Sequence, residues 1–286
     1  MLRPLTSTTT LLAAALALTA PSAVAAQRTA RTLWDDLRHA GEDVLFVWSS
    51  PAHGDARDWA AAGAVAGVSA LSFLLDEPLD RWVVRDSASL VHRGLSPLRE
   101  DFAWKWLGDL GTGRILNPIN GALYVSGFLA DNAKLRDAGM GCFATQQASS
   151  ILRHVLVYRV LPRTRPSDAN GDASRWRVNG KVWKDAPWKE HSFFGGHLAN
   201  AAGCAAFFSR RFELGAAEPA MFALAGGIGA ARLVDRRHWL SDQVIGAAVG
   251  YAMGKAVADR QLRRRRPDTL AEPQIAVARV GWTVRF

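Results

Sequence analysis

The sequence predicts an all-α fold, a helical bundle with a short strand-like tail at its C-terminus. Alanine-rich apolar segments of helical length recur along the 286 residues, and 49% of the chain is hydrophobic. The pattern shows no alternation of strands with helices, no glycine-rich phosphate loop after a strand and no internal repeat. This length allows one large domain or two small ones with a substantial core.

Residues 1–26 have the pattern of a secretory signal peptide. An early arginine precedes the apolar run LLAAALALTA, and small residues precede a cleavage point near Ala26 or Gln27. An uncleaved anchor is the alternative, but the apolar run is shorter than the roughly 20 residues that a spanning helix needs. The sequence therefore predicts export to the periplasm, with or without attachment to the inner membrane.

Residues 27–58 form a predicted N-terminal amphipathic segment, with helical spacing over 31–48. The main predicted domain covers 59–260. Its first segment, 59–75, is a continuous apolar run that predicts either a fully buried helix or a marginal membrane span. Further helices are predicted over 120–130, 138–160, 198–208, 219–233 and 242–257.

A long polar loop, residues 161–192, separates two of these helices, and loops of this length are usually functional or disordered. Residues 261–286 form a basic linker and a C-terminal tail. Apolar residues alternate over 276–286, which favours a short strand that we interpret as a docking tail.

The two cysteines, Cys142 and Cys204, exclude a disulfide framework and a zinc site built on thiolates. Export to an oxidising compartment would allow them to pair. Each lies in an alanine-rich apolar helix, however, so the sequence favours two buried free thiols.

The formal net charge is +9, from 35 Lys+Arg and 26 Asp+Glu. For an exported chain we expect no nucleic-acid partner. The mean hydropathy is close to zero, and the positive-inside rule conflicts with the topology that a signal peptide would impose on spanning helices. We therefore expect a periplasmic bundle, and peripheral attachment to a membrane surface through basic patches stays open.

Two clusters, one in the polar loop and one just after it, suggest an anion site. Arg165 precedes Pro166, which ends a helix and directs Arg163 and Arg165 into the loop. The segment Gly195-Gly196-His197 comes directly before an alanine-rich helix, where glycines permit close backbone approach and amides favour an anion.

A third cluster consists of Arg232, His238 and Asp242. The i, i+4 spacing of His238 and Asp242 places both on one face if the segment is helical, so the carboxylate is expected to hold an imidazole nitrogen. Arg232 is off that face, which requires a bend at 235–237.

The three clusters resemble the motifs of the superfamily of type 2 phosphatidic acid phosphatases, bacterial non-specific acid phosphatases and vanadium haloperoxidases. That pattern is Lys, six residues, Arg-Pro; then Pro-Ser-Gly-His; then Ser-Arg, five residues, His, three residues, Asp. Arg165-Pro166, Gly196-His197 and the third cluster match it, and the resemblance covers about residues 55–260. It implies an all-helical bundle of that superfamily's kind.

The chain departs from this pattern at several positions. The lysine position falls on Tyr158, and the serine that contacts phosphate in the family is replaced. Arg159 or Arg163 is expected to replace the missing cation. The other departures are Phe194 for proline, Gly195 for serine and Ala231 for serine.

The resemblance implies hydrolysis of phosphomonoesters through a phosphohistidine. His238, held by Asp242, would attack phosphorus, while His197 would protonate the leaving alkoxide and then activate water. The residues expected to bind phosphate are Arg165, Arg232, Gly195, Gly196 and Arg159. No metal or cofactor is expected, since the arginines supply the positive charge.

The expected substrates are a phosphorylated lipid such as phosphatidic acid, or a small phosphate ester. One alternative is a catalytically weakened member that binds phosphorylated lipid or envelope components. A second is a vanadate-dependent haloperoxidase, which is disfavoured because the Lys and Ser expected to bind the oxyanion are missing; otherwise vanadate is expected only as an inhibitor.

Other residues have weaker indications. Glu190 and His191 could line the site, although loop charges are usually solvated. For Arg153 and His154 a core or groove position is expected. Tryptophans of the polar loop could contact an apolar substrate tail: Trp176, Trp183 and Trp188.

Overall fold

The computed structural model describes residues 23–85, 102–178, 184 and 186–265. The predicted signal segment up to residue 22, Trp183 and the tail from residue 266 lie outside the described residues. The chain divides into two compact units, Met1–His39 and Ala40–Phe286. The all-α prediction is confirmed, because the described residues form helices and turns and no β-strand.

The longer helices agree with those predicted from apolar spacing. One exception is the segment predicted as a helix over 138–160, where α-helix gives way to the π-helical turn Leu152–Val157. The helices are α1 (Ala23–Ser49), α2 (Ala56–Phe73), α3 (Asp76–Arg85), α4 (Phe102–Asp109), α5 (Gly113–Leu129), α6 (Ala133–Ile151), α7 (Gly196–Phe212), α8 (Glu218–Val234) and α9 (Leu240–Arg265).

Helices α7 and α9 pack backbone against backbone through small residues. A Cβ atom added to Gly250 would lie 2.0 Å from the carbonyl oxygen of Ala199, and one added to Gly254 would lie 1.9 Å from that of Gly203. Any side chain at these two glycines would therefore separate the helices. The close packing brings the first turn of α7 beside the start of α9.

The prediction of two free thiols is wrong. Cys142 on α6 and Cys204 on α7 form a disulfide, and their Cα atoms lie 4.9 Å apart. Both lie in a buried apolar cluster that includes Phe207 and Val257. The sequence could not show that these two helices cross at the cysteines, because the contact joins positions separated by 62 residues.

Of the two alternatives predicted for the apolar run at 59–75, the fully buried helix is wrong. The buried residues of α2 are Ser69 and Ser72. Four of its large apolar side chains are exposed: Trp59, Val65, Val68 and Leu71. Among the described residues no single helix is long and apolar enough to cross a membrane, but Ala56–Phe73 and Asp76–Val84, bent by 44°, meet these criteria as a pair.

Candidate active site

His238 lies in the turn between α8 and α9, before the latter begins at Leu240. The expected bend is present, with Arg236 in the left-handed region at φ 54°. The His238 side chain is buried, and its Nδ1 lies 2.6 Å from the carbonyl oxygen of Ser192. A carbonyl oxygen only accepts hydrogen bonds, so Nδ1 carries the proton and Nε2 keeps its lone pair.

Asp242 does not hold the His238 imidazole directly, as its spacing had suggested. The i, i+4 argument needs both residues within one helix, and His238 precedes it. Asp242 instead accepts hydrogen bonds from the Ser192 hydroxyl, the Trp239 amide at 3.0 Å and Nη1 of Arg163 at 2.8 Å. It therefore fixes Ser192, whose carbonyl oxygen fixes His238.

Arg163 is committed to this buried network. Its guanidinium is fully buried and pairs with Asp242 at 2.8 Å and with Asp76 of α3 at 2.7 Å. These contacts occupy both terminal nitrogens, so the structure does not support the expected phosphate-binding role for Arg163. The guanidinium also lies 4.8 to 5.1 Å from the ring centroids of Phe73, Trp176 and Trp239.

Arg165 is buried and keeps unused donors. Nη2 donates to the carbonyl oxygen of His191 at 3.3 Å, and the guanidinium lies 3.9 Å from the centroid of the Trp188 ring. Nε and Nη1 of Arg165 have no hydrogen-bond partner among the described residues. Burial lowers the pKa of Arg165 to about 10, so the group stays charged at neutral pH.

Arg232 has a similar environment on the last turn of α8. Its side chain is buried, and Nε has no hydrogen-bond partner in the part of the chain that the structure describes. Among the described residues Nη1 makes two long ion pairs, 3.6 Å to Asp109 and 3.7 Å to Asp235. Two buried guanidiniums with free donors favour a bound anion at this place.

His197 lies in the first turn of α7, with its ring centroid 6.3 Å from that of His238. Burial, followed by the positive charges of Arg232, Arg153 and Arg165, lowers the pKa of His197 to about 3. Burial is also the main cause that lowers the pKa of His238 well below its usual value. Both imidazoles are therefore neutral at pH 7.

The model of the PAP2 superfamily matches residues 141–274, a segment that contains all three motif clusters. Over this segment, which is just under half of the chain, the protein belongs to the PAP2 superfamily. A lipid A 1-phosphatase from Porphyromonas gingivalis is 39% identical over 69 residues, which are 23% of this chain and 15% of that protein. The chain thus spans a small part of this curated relative. No solved structure gives a significant match.

Gly195 stands where the PAP2 pattern has serine, and a side chain there would meet the amide end of Gln243. An added Cβ would lie 2.3 Å from Oε1 of Gln243. The Gly195 amide donates to the carbonyl oxygen of Asp242 at 2.8 Å. It is therefore engaged within the protein, and the expected donation from this amide to phosphate does not fit the structure. Gly196 begins α7, where first-turn amides lack partners within the helix.

Arg153 is the residue at this PAP2 site that the sequence did not identify. The sequence favours a core or groove position, but a Cβ added to Gly196 would lie 1.3 Å from Nη1 of Arg153. The charge of Arg153 is among those that lower the pKa of His197, whereas that of Arg159 is not. Arg159 is half-buried in the short helix Tyr158–Val160.

The remaining candidates have mostly structural contacts. The ring of His191 stacks on Tyr158 at 4.1 Å, and its Nε2 lies 2.7 Å from the carbonyl oxygen of Ala186. Glu190 pairs with Arg177. His154 is exposed and packs edge-on against Tyr158, Trp176 belongs to the Arg163 network, and Trp188 covers Arg165.

Proposed function

We propose that this PAP2 chain is a metal-independent phosphatase that hydrolyses phosphomonoesters through a phosphohistidine. The observation that carries the proposal is a neutral, buried His238 imidazole beside guanidiniums that keep unused donors. Among the described residues Arg165 has no paired carboxylate and Arg232 has two long ion pairs. Burying such charges is costly, and a phosphate ester would compensate that cost. A phosphorylated lipid is the substrate class we favour, because a relative is named a lipid A 1-phosphatase.

In the proposed reaction, Nε2 of His238 forms a bond to phosphorus as the bond to the leaving alkoxide breaks. Arg165 and Arg232 oppose the charge on the phosphoryl oxygens. His197 gives a proton to the alkoxide, and then accepts one from the water that attacks phosphorus. The second step breaks the bond to Nε2 and releases inorganic phosphate.

The protonation of His197 depends on the substrate in this proposal. Burial, followed by the charges of the surrounding arginines, keeps the pKa of His197 low, at about 3. The negative charge of a bound phosphate ester opposes those arginines and raises the pKa of His197. His197 would therefore gain its proton together with the substrate, which prepares it to act as the acid.

We further propose that the exported protein acts at the periplasmic surface of the inner membrane, with α2 in contact with lipid. Helix α2 buries small serines and exposes large apolar side chains, the reverse of a helix that faces water. Flotation with phospholipid vesicles tests this part. Leu71→Asn, at a 65% exposed position, should weaken flotation, and a wild-type chain that stays in the aqueous fraction would refute it.

The catalytic proposal is tested by phosphate release from an aryl phosphate, phosphatidic acid and a phosphorylated lipid A, with chelator and without added metal. Turnover should fall to background in His238→Ala and persist in Arg210→Gln, an exposed position at the other end of α7. An acid-labile phosphoryl label should appear on wild type and not on His238→Ala. Phosphate binding without turnover would instead identify a binding protein.

A further inference from the structure

Arg153 is a buried cation that lies outside the three motifs of the PAP2 pattern. Its side chain is 7% exposed, Nη2 donates to the Ser150 hydroxyl at 3.0 Å, and Nε has no partner among the described residues. No carboxylate in the described ranges pairs with it, and its guanidinium lies 5.9 Å from the centroid of the Phe194 ring. Burial lowers the pKa of Arg153, but an arginine side chain stays charged at neutral pH.

The guanidinium of Arg153 lies against the first turn of α7. The three atoms nearest to a Cβ added at Gly196 all belong to Arg153, at 1.3, 2.5 and 3.2 Å. Only glycine at this position leaves space for the guanidinium. The neighbouring residue is His197, and the charges of Arg153, Arg165 and Arg232 all act on it.

The π-helical turn Leu152–Val157 explains how Arg153 reaches the site. The amide of Tyr158 donates to the carbonyl oxygen of Arg153, which is the i to i+5 bond typical of a π-helix. In an α-helix, residues five apart point to different sides, at roughly 140° from each other. The wider turn instead brings residues 153 and 158 onto one face, and position 158 is where the PAP2 pattern has its lysine.

We propose that Arg153 binds the phosphoryl oxygens together with Arg165 and Arg232, and takes the place of the cation missing at Tyr158. The Tyr158 ring is itself occupied, since it stacks on His191 at 4.1 Å. The identity of the anion as a phosphoryl group rests on the proposed function. Binding of inorganic phosphate does not need turnover, so the two proposals can fail separately.

The first test is calorimetric titration of the full chain with inorganic phosphate and with vanadate. Arg153→Gln should weaken phosphate binding about 10- to 100-fold, the loss of charge-assisted hydrogen bonds, and Arg153→Lys should keep part of the affinity. The matched control is Arg210→Gln, which removes an exposed arginine about 20 Å along α7 from His197 and should bind as wild type does. Unchanged affinity in a folded Arg153→Gln would overturn the proposal.

A double-mutant cycle separates binding from folding. Gly196→Ala should weaken phosphate binding in the wild-type background, because the added methyl group displaces the guanidinium. In the Arg153→Ala background the same change should have little further effect, since the atoms it meets are gone. Equal losses in both backgrounds would contradict the role of Arg153. Phosphate binding without turnover in wild type would refute the phosphatase alone, and absence of phosphate binding would refute both.

Discussion

Replacing Arg163 should lower the free energy of unfolding, because Arg163 supports the site and is not expected to contact phosphate. The guanidinium is fully buried and serves two fully buried carboxylates, Asp76 and Asp242. Removing one partner of a buried ion pair typically costs about 3–5 kcal/mol. Arg163→Gln leaves two carboxylates without their cation, together with an unpaired carbonyl at Ala173, so we expect a loss near the upper end of that range.

Urea unfolding followed by circular dichroism measures this loss as a shift of the midpoint at unchanged slope. Arg175→Gln is the matched control, because its ion pair with Asp172 is about half exposed and such pairs contribute about 0–1 kcal/mol. Adding Asp76→Asn to Arg163→Gln should recover part of the stability, since one uncompensated charge is then removed. A loss below about 1 kcal/mol would refute the argument, because it would show that the two buried carboxylates do not need the charge of Arg163.

Three further predictions concern other parts of the site and core. Cys204→Ala should lower the free energy of unfolding by about 4 kcal/mol, because the disulfide joins positions 62 residues apart and restricts the unfolded chain. Reductant should destabilise wild type but not this variant. The pKa of His197 falls from 6.5 to about 3 on folding, so the unfolded chain binds more protons and stability drops as pH falls across that interval; in His197→Gln the pH dependence should be shallower. Gly195→Ser should lower stability and turnover, because the serine side chain meets Gln243. Addition of Gln243→Ala should restore both. A gain in turnover from the serine alone would contradict the structure.

Local features of the fold followed from the sequence because they depend on nearest neighbours along the chain. Apolar spacing and alanine content placed the helices, and the spacing of Arg232 and His238 required a bend that Arg236 provides in the left-handed region. The glycines of α9 carried a further signal that went unused. Gly246, Gly250 and Gly254 recur every four residues, the pattern of a face against which another backbone packs.

Contacts between distant segments could not be predicted in the same way. The carbonyl oxygen of Ser192 takes the place expected for Asp242 beside His238, and a main-chain carbonyl leaves no trace in sequence. Arg153 required a π-helical turn, whereas spacing arguments assume 3.6 residues per turn. The exposure of α2 could not be predicted either. An apolar run indicates that a helix is unsuited to water, but it does not show whether the helix contacts the protein core or another apolar phase.

The departures from the PAP2 pattern form a connected set, which favours a rebuilt site over a weakened one. Tyr158 lacks the lysine's charge, but Arg153 lies one π-helical turn before it on the same face. Gly195 lacks the serine, and Gln243 fills the space beside it. A chain without a phosphate ligand would be more stable if its buried guanidiniums were replaced by apolar side chains, since nothing in the described residues compensates their unused donors. Retaining them is costly unless an anion binds, and the phosphate titration of Arg153→Gln measures that compensation directly.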